Sequence, residues 1–300
     1  MTIRFAFFSD THHFPDAPHN FGAPKMLTRS KEVLDILPSV INAENFDFVI
    51  HGGDIVCGGS SFNIPNNIYT RSLKEAAATF DQINAPFFSV PGNHDCDPNS
   101  WTYDEYGEYF NVHSPITIID VAPKLRLALA NIFFNVDVKQ NGSGVWTEEM
   151  DKSLRETASQ SLQEHTAIIL ILHSWVIPGE DGNNGLISNA QELLQTIDEC
   201  PSISIVFTGH RHMNRISEYN DCLIINTACL IGFPLGYREV ILSESGNFTT
   251  RFHRLKLPEL IEDSRNRSTD IENRLWEGTI YDREKQSIIS RLHNVWSKKK

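Results

Sequence analysis

Five short groups of residues carry side chains able to hold metal cations or move protons: Asp10-Thr11-His12, Gly53-Asp54, Gly92-Asn93-His94-Asp95, His173, and Gly209-His210-Arg211-His212. Each group follows a compact apolar run, namely Ile3 to Ser9, Phe46 to Ile50, Phe87 to Val90, Ala167 to Leu172 and Ile203 to Phe207. Runs of that length and content suit buried strands. In an open α/β sheet the C-terminal ends of the strands share one edge where ligands bind, so residues far apart in sequence are expected to converge there. Glycines directly before Asp54, Asn93 and His210 stand where the backbone must approach closely or take a positive φ. Asp10, His12, Asp54, Asn93, His173, His210 and His212 mix hard oxygen with imidazole nitrogen, which suits manganese, iron or zinc better than magnesium or calcium. Seven ligands exceed one site with an open position. They divide well between two ions ~3.5–4 Å apart that share a carboxylate.

The intervening segments supply the elements that position these groups. Val33, Leu34, Leu37, Val40 and Ile41 fall on one helical face, with Pro38 expected to kink or end that helix early. Leu73, Ala76, Ala77, Phe80 and Ile83 repeat the pattern before the third run, and strand–helix alternation implies parallel strands joined by right-handed crossovers. Ile116 to Val121 and Leu125 to Phe134, separated by a Pro-containing turn, read as antiparallel neighbours, so mixed sheets are expected. A helix is predicted over 147–163. Another is predicted from Ser188, with Gln191 at capping-box spacing. Leu223 to Asn226, Arg238 to Leu242 and Phe248 to His253 read as strands that extend or face a second sheet. After Leu257 the chain becomes charged and helix-like, with Ile288, Ile289, Leu292, Val295 and Trp296 on one face. The predicted organisation is α/β: a catalytic domain over 1–257 and a C-terminal helical extension over 258–300. That extension is expected to pack on its own domain, with a homodimer contact as the alternative.

Composition narrows the function. With 300 residues, 40% hydrophobic and 21% charged, the chain is neither disordered nor coiled coil. A balance of 26 basic and 38 acidic residues, formally −12, disfavours nucleic acid as partner, and a nuclease with it, but does not disfavour metal cations. No apolar run approaches the ~18 residues of a membrane span. Five Cys with no C-x-x-C point to a reducing, cytoplasmic setting rather than a disulfide framework.

The five ordered groups resemble the calcineurin-like metallophosphoesterase pattern D-x-H, G-D, G-N-H-D, H, G-H-x-H, over roughly residues 3 to 255. The resemblance implies a four-layer fold, a β-sandwich of mixed sheets flanked by helices. It implies that Asp10, His12 and His212 hold one transition-metal ion, that Asn93, His173 and His210 hold another, and that Asp54 bridges them. His94 would face the substrate phosphate, stabilising charge or protonating the leaving oxygen. Asp95 would orient His94 and raise its basicity. The implied reaction is phosphoester hydrolysis by a metal-bridging hydroxide attacking in line.

Departures from the pattern select among subfamilies. Asp54 is followed by Ile55-Val56-Cys57 rather than by an Asp-Arg-Gly extension, and Asp95 stands where protein Ser/Thr phosphatases usually carry Glu. Cys57 occupies the place of the ligating Tyr of purple acid phosphatases. The remaining pattern is most similar to small bacterial phosphodiesterases acting on cyclic nucleotides or glycerophosphodiesters. The expected substrate is thus a small nucleotide or phospholipid-derived diester. A phosphomonoesterase or nucleotide pyrophosphatase, and a non-catalytic binding module retaining the fold, are the alternatives. Cys57 and Cys96 read as small packing residues or as thiolates, and Arg211 as a phosphate donor or a solvated side chain. The loop Gly58 to Asn67 and the segment 233–238 read as cleft walls or plain turns. Of the other His residues only His13 and His19 lie near enough in sequence to suggest a wall.

Overall fold

A computed structural model describes residues 2–59, 61–179 and 183–297. Its strands are β1 Thr2–Phe8, β2 Phe48–His51, β3 Phe87–Ser89, β4 Ile116–Ala122, β5 Leu125–Ala130, β6 Ala167–Ile171, β7 Ile203–Thr208, β8 Arg215–Tyr219, β9 Cys222–Asn226, β10 Gly236–Ser243, β11 Asn247–Arg254 and β12 Glu284–Ile288. The helices are α1 Ser30–Asn42, α2 Asn66–Phe80, α3 Asp104–Phe110, α4 Glu148–Gln163, α5 Ala190–Glu199, α6 Pro258–Arg265, α7 Asp270–Glu277, α8 Ile280–Arg283 and α9 Ser290–Ser297.

The strands form two mixed six-stranded sheets, ordered β12-β11-β10-β1-β2-β3 and β4-β5-β6-β7-β9-β8. β1, β2 and β3 run parallel in the first, and β5, β6, β7 and β9 run parallel in the second. Phe5, Phe7, Phe48 and Ile50 of one sheet pack with Leu127, Ile169, Ile171, Ile205, Phe207 and Ile225 of the other. This shared apolar layer explains why these strands read as near-continuous hydrophobic runs, since both faces of each sheet are covered. On the outer faces, α1 and α2 supply Val33, Leu37, Leu73 and Phe80 to one cluster, and α4 and α5 supply Met150, Leu154, Leu193 and Ile197 to another.

Several local expectations are corrected. Helix α1 continues through Pro38 to Asn42, because this proline removes one donor near the C-terminal end of the helix while its ring is buried in the core. Helix α5 begins at Ala190 after Asn189, and no side-chain cap forms from Ser188. The stretch after Leu257 is not only helical: β12 pairs antiparallel with β11. Its sequence, Glu-Lys-Gln-Ser-Ile, lacks the apolar alternation that announces a strand. Ile288 therefore leaves the predicted helical face and is 64% exposed, whereas Ile289, Leu292, Val295 and Trp296 are buried. Strand β8, partly exposed along its length, gave no such signal either.

Candidate metal centre

The site lies across the C-terminal ends of strands from both sheets. Asp10 and His12 follow β1, Asp54 follows β2, and residues 93–95 follow β3, all in the first sheet, whereas His173 follows β6 and His210 and His212 follow β7 in the second. The single sheet edge expected from sequence is thus replaced by two edges facing each other.

Asp10, His12 and His212 present ligand atoms within 4.8 Å of one another, and so do Asp54, His173 and His210. Asp54 faces both groups: its Oδ2 is 3.3 Å from His173 Nε2 and 3.7 Å from His12 Nε2. Its Oδ1 accepts the His94 backbone N–H at 2.8 Å. Nε2 of His12 and Nε2 of His212 are 3.2 Å apart, as are Nδ1 of His210 and Nε2 of His173. Spacings of this size are those of adjacent corners around a transition-metal ion bound at about 2.0–2.2 Å. Asn93 Oδ1 is buried without a hydrogen-bond partner among the described residues. His12 Nδ1 is likewise buried without one. The residues present therefore fit a pair of cations.

Protonation supports the same reading. Burial holds His210 neutral, down to about 3, and holds His12 well below the usual imidazole range, leaving both as lone-pair donors. Burial also disfavours the charged form of His173, but the Asp54 carboxylate beside it prevails and raises it to about 9. A proton there sits where a cation would. His173 Nδ1 lies 2.8 Å from the Gly52 carbonyl, to which it can only donate, so Nε2 is the nitrogen turned to the centre. Burial pushes Asp10 up, yet the charge of His212 overrides it and keeps the carboxylate ionised.

Asp10, His12, Asp54, His210 and His212 all have positive φ, between 43° and 67°. For non-glycine residues this conformation costs about 1–2 kcal/mol each. Of the two expectations for these glycines, close approach or positive φ, Gly92 and Gly209 meet the first and Gly53 takes a positive φ of 96°. A Cβ at Gly92 would overlap the Asp54 carboxylate, and one at Gly209 would overlap Ser9 Oγ.

Asp95 also departs from expectation. Its carboxylate accepts the N–H groups of Asp54 and Gly92 at 2.8 Å each and of Val56 at 3.0 Å, and makes no bond to the His94 ring. It ties the β2 and β3 turns together rather than orienting His94. Burial and the Asp54 charge push this carboxyl up to about 8, against three N–H donors that favour the carboxylate. The ring of His94 packs against Phe62 instead, centroids 4.8 Å apart, so Phe62 of the segment Gly58 to Asn67 stands beside His94, while residue 60 of that segment lies outside the described residues.

His51, one of the histidines expected to be structural or surface, is buried and structural. Its Nδ1 accepts the Gly53 N–H at 3.0 Å, so Nε2 carries the proton donated to Thr11 Oγ1 at 2.7 Å. One buried imidazole thereby braces the turns bearing Asp10 and Asp54. His13 reaches Glu75 at 2.8 Å, and His19 lies against Phe21. Cys57 and Cys96 are buried thiols, pushed up by burial, Cys96 to about 12. Arg211 is neither solvated nor bare; it is buried with its guanidinium over the Trp175 ring.

A family model described as calcineurin-like phosphoesterase matches residues 3–214, so the chain belongs to that family. It is a metal-dependent phosphoester hydrolase. Over 240 residues it is 25% identical to the 3',5'-cyclic adenosine monophosphate phosphodiesterase CpdA of Haemophilus influenzae, covering 73% of this chain and 79% of that protein. Among solved structures, a dimetal phosphatase from Danio rerio superposes with TM-score 0.68 at 15% identity, over 83% of this chain and 95% of the other. GAP50, the anchor in the inner membrane complex of Plasmodium, superposes with TM-score 0.51 at 17% identity, over 87% of each. At these identities the two structures speak for the fold alone. No helix among the described residues is long and apolar enough to cross a membrane.

Proposed function

We propose that the chain is a dinuclear phosphodiesterase acting on a small nucleotide or phospholipid-derived diester. Asp10, His12 and His212 would hold one ion and Asn93, His173 and His210 the other, with Asp54 available to both. The observation that carries this reading is Asp54 Oδ2, placed toward imidazoles of both groups while Oδ1 is pinned by the His94 N–H. The similarity to a cyclic-nucleotide phosphodiesterase supports the diester over the monoester.

When bound, manganese, iron or zinc at such a pair clamps phosphate oxygens and supplies a solvent nucleophile near neutral pH. The protein contributes the rest. Neutral His12 and His210 present lone pairs without first losing a proton. Asp95 and His51 hold the turns at fixed spacing, which reduces reorganisation as charge develops. His94, whose ring contacts those of His12 and Phe62, stabilises charge on the phosphate or protonates the leaving oxygen in this reading.

The test is hydrolysis of bis(p-nitrophenyl) phosphate by the purified protein with manganese. Turnover that is metal-dependent, faster than on p-nitrophenyl phosphate and abolished by Asp54→Asn is expected. A faster monoester reaction would overturn the diester assignment, and loss of neither metal nor turnover in Asp54→Asn would overturn the centre.

A further inference from the structure

We propose that Lys25 binds an anionic phosphate oxygen of the substrate and is a specificity-determining residue of this site. The inference rests on the phosphoester reading above and goes beyond it, because Lys25 belongs to none of the five sequence groups.

The Lys25 ammonium lies 5.5 Å from the centroid of the Phe62 ring, and that ring in turn packs 4.8 Å from His94 and 5.9 Å from His12. Arg29, Lys31 and Arg71 of this acidic chain have carboxylate partners, whereas Arg267 donates to carbonyls. Lys25 makes no ion pair among the described residues; its contact is the Phe62 face, worth about 0.5–1 kcal/mol. An ammonium on the ring that packs against His94 and His12 is attracted by an anion bound at the centre.

The backbone around Lys25 is held from two sides. Lys25 bridges Gly232, and the Met26 N–H donates to Ile231 O at 3.0 Å. From the C-terminal segment, Ser264 Oγ donates to Pro24 O at 2.6 Å, while Arg267 donates to the carbonyls of Lys25 and Asn20. Four hydrogen bonds on neighbouring carbonyls and amides give this lysine a fixed origin, unlike a surface lysine on a loose loop.

The phosphate oxygen it meets belongs either to the scissile group or to a second phosphate, and two substrates separate these sources. Manganese-loaded wild type, Lys25→Met and Lys25→Arg are compared on bis(p-nitrophenyl) phosphate, with one phosphate, and on ADP-ribose, with two. Inorganic phosphate binding is measured in parallel by calorimetry, a readout that needs no turnover. For Lys25→Met we expect KM to rise about tenfold or more, kcat to change less than about threefold, and phosphate binding to weaken by a similar factor, with Lys25→Arg recovering most of it. A KM rise on both substrates assigns the scissile phosphate, and a rise on ADP-ribose alone assigns a second one. Unchanged KM and unchanged phosphate binding in a manganese-loaded Lys25→Met with wild-type Tm would overturn the proposal. If that variant melts early, Lys25→Gln carries the same comparison. If wild type hydrolyses neither ester, the catalytic reading fails, and phosphate calorimetry still decides the role of Lys25.

Discussion

The carboxylate of Asp95 closes on the backbone N–H of Asp54 at 2.8 Å, so two buried acids of one site have different tasks: one faces the imidazoles, the other holds the turn that aims it. Asp95→Asn leaves one oxygen for three N–H donors and turns an NH2 toward at least one of them. A loss of about 1–3 kcal/mol in stability is expected, with manganese affinity weakened about 10- to 100-fold. Urea unfolding and a manganese titration check both.

Removing the metal exposes a pH dependence. His173 rises from 6.5 to about 9 beside Asp54, so its contribution is full below about pH 6.5 and is lost as pH climbs through about 9. Chelator-treated protein should therefore lose up to about 3 kcal/mol between pH 6 and 9.5. Manganese competes with the same proton, and its binding should release protons to buffer at pH 7.5. Equal urea midpoints at the two pH values would contradict this.

His94 and Asp54 should separate chemistry from binding. His94→Ala removes a ring that belongs to neither ligand group, so metal content measured by atomic emission should stay near wild type while kcat falls about 10²- to 10⁴-fold. Asp54→Asn should lower metal content itself.

Gly92→Ala tests room rather than charge. The new methyl would overlap the Asp54 carboxylate, so metal affinity should fall although no titratable group has changed. Retained manganese stoichiometry and turnover in a folded Gly92→Ala would show that the turn can shift without cost.

Truncation after Leu257 bears on the proposed boundary between residues 1–257 and the C-terminal segment. Leu260 packs in one core cluster, and Leu292, Val295 and Trp296 pack between the sheets in another. Losing several buried large side chains, each worth about 1.5–3 kcal/mol, should leave the shorter chain unable to fold. A cooperative melt of residues 1–257 near the full-length Tm would instead mark the segment as dispensable.

Much of the centre was legible because metal ligands must be side chains of a few types, and because a strand end is announced where an apolar run stops. Asp10, Asp54, Asn93 and His173 each follow such a stop. The role of Asp95 was not legible, since a carboxylate that accepts backbone N–H groups and one that accepts from an imidazole look alike in sequence. Strand β12 was hidden for a related reason: edge pairing uses backbone groups, and Glu-Lys-Gln-Ser-Ile needs no apolar face to make it.

The amino-acid order by itself determined the ligand types, their succession, and the strands and helices whose apolar periodicities are local properties of the chain. Tertiary structure alone decided that the strand ends belong to two facing sheets, that Asp54 turns one oxygen to both imidazole groups, and that Lys25 stands beside Phe62. Those relations arise from packing between segments distant in sequence, where shape and burial select one arrangement that no local pattern encodes.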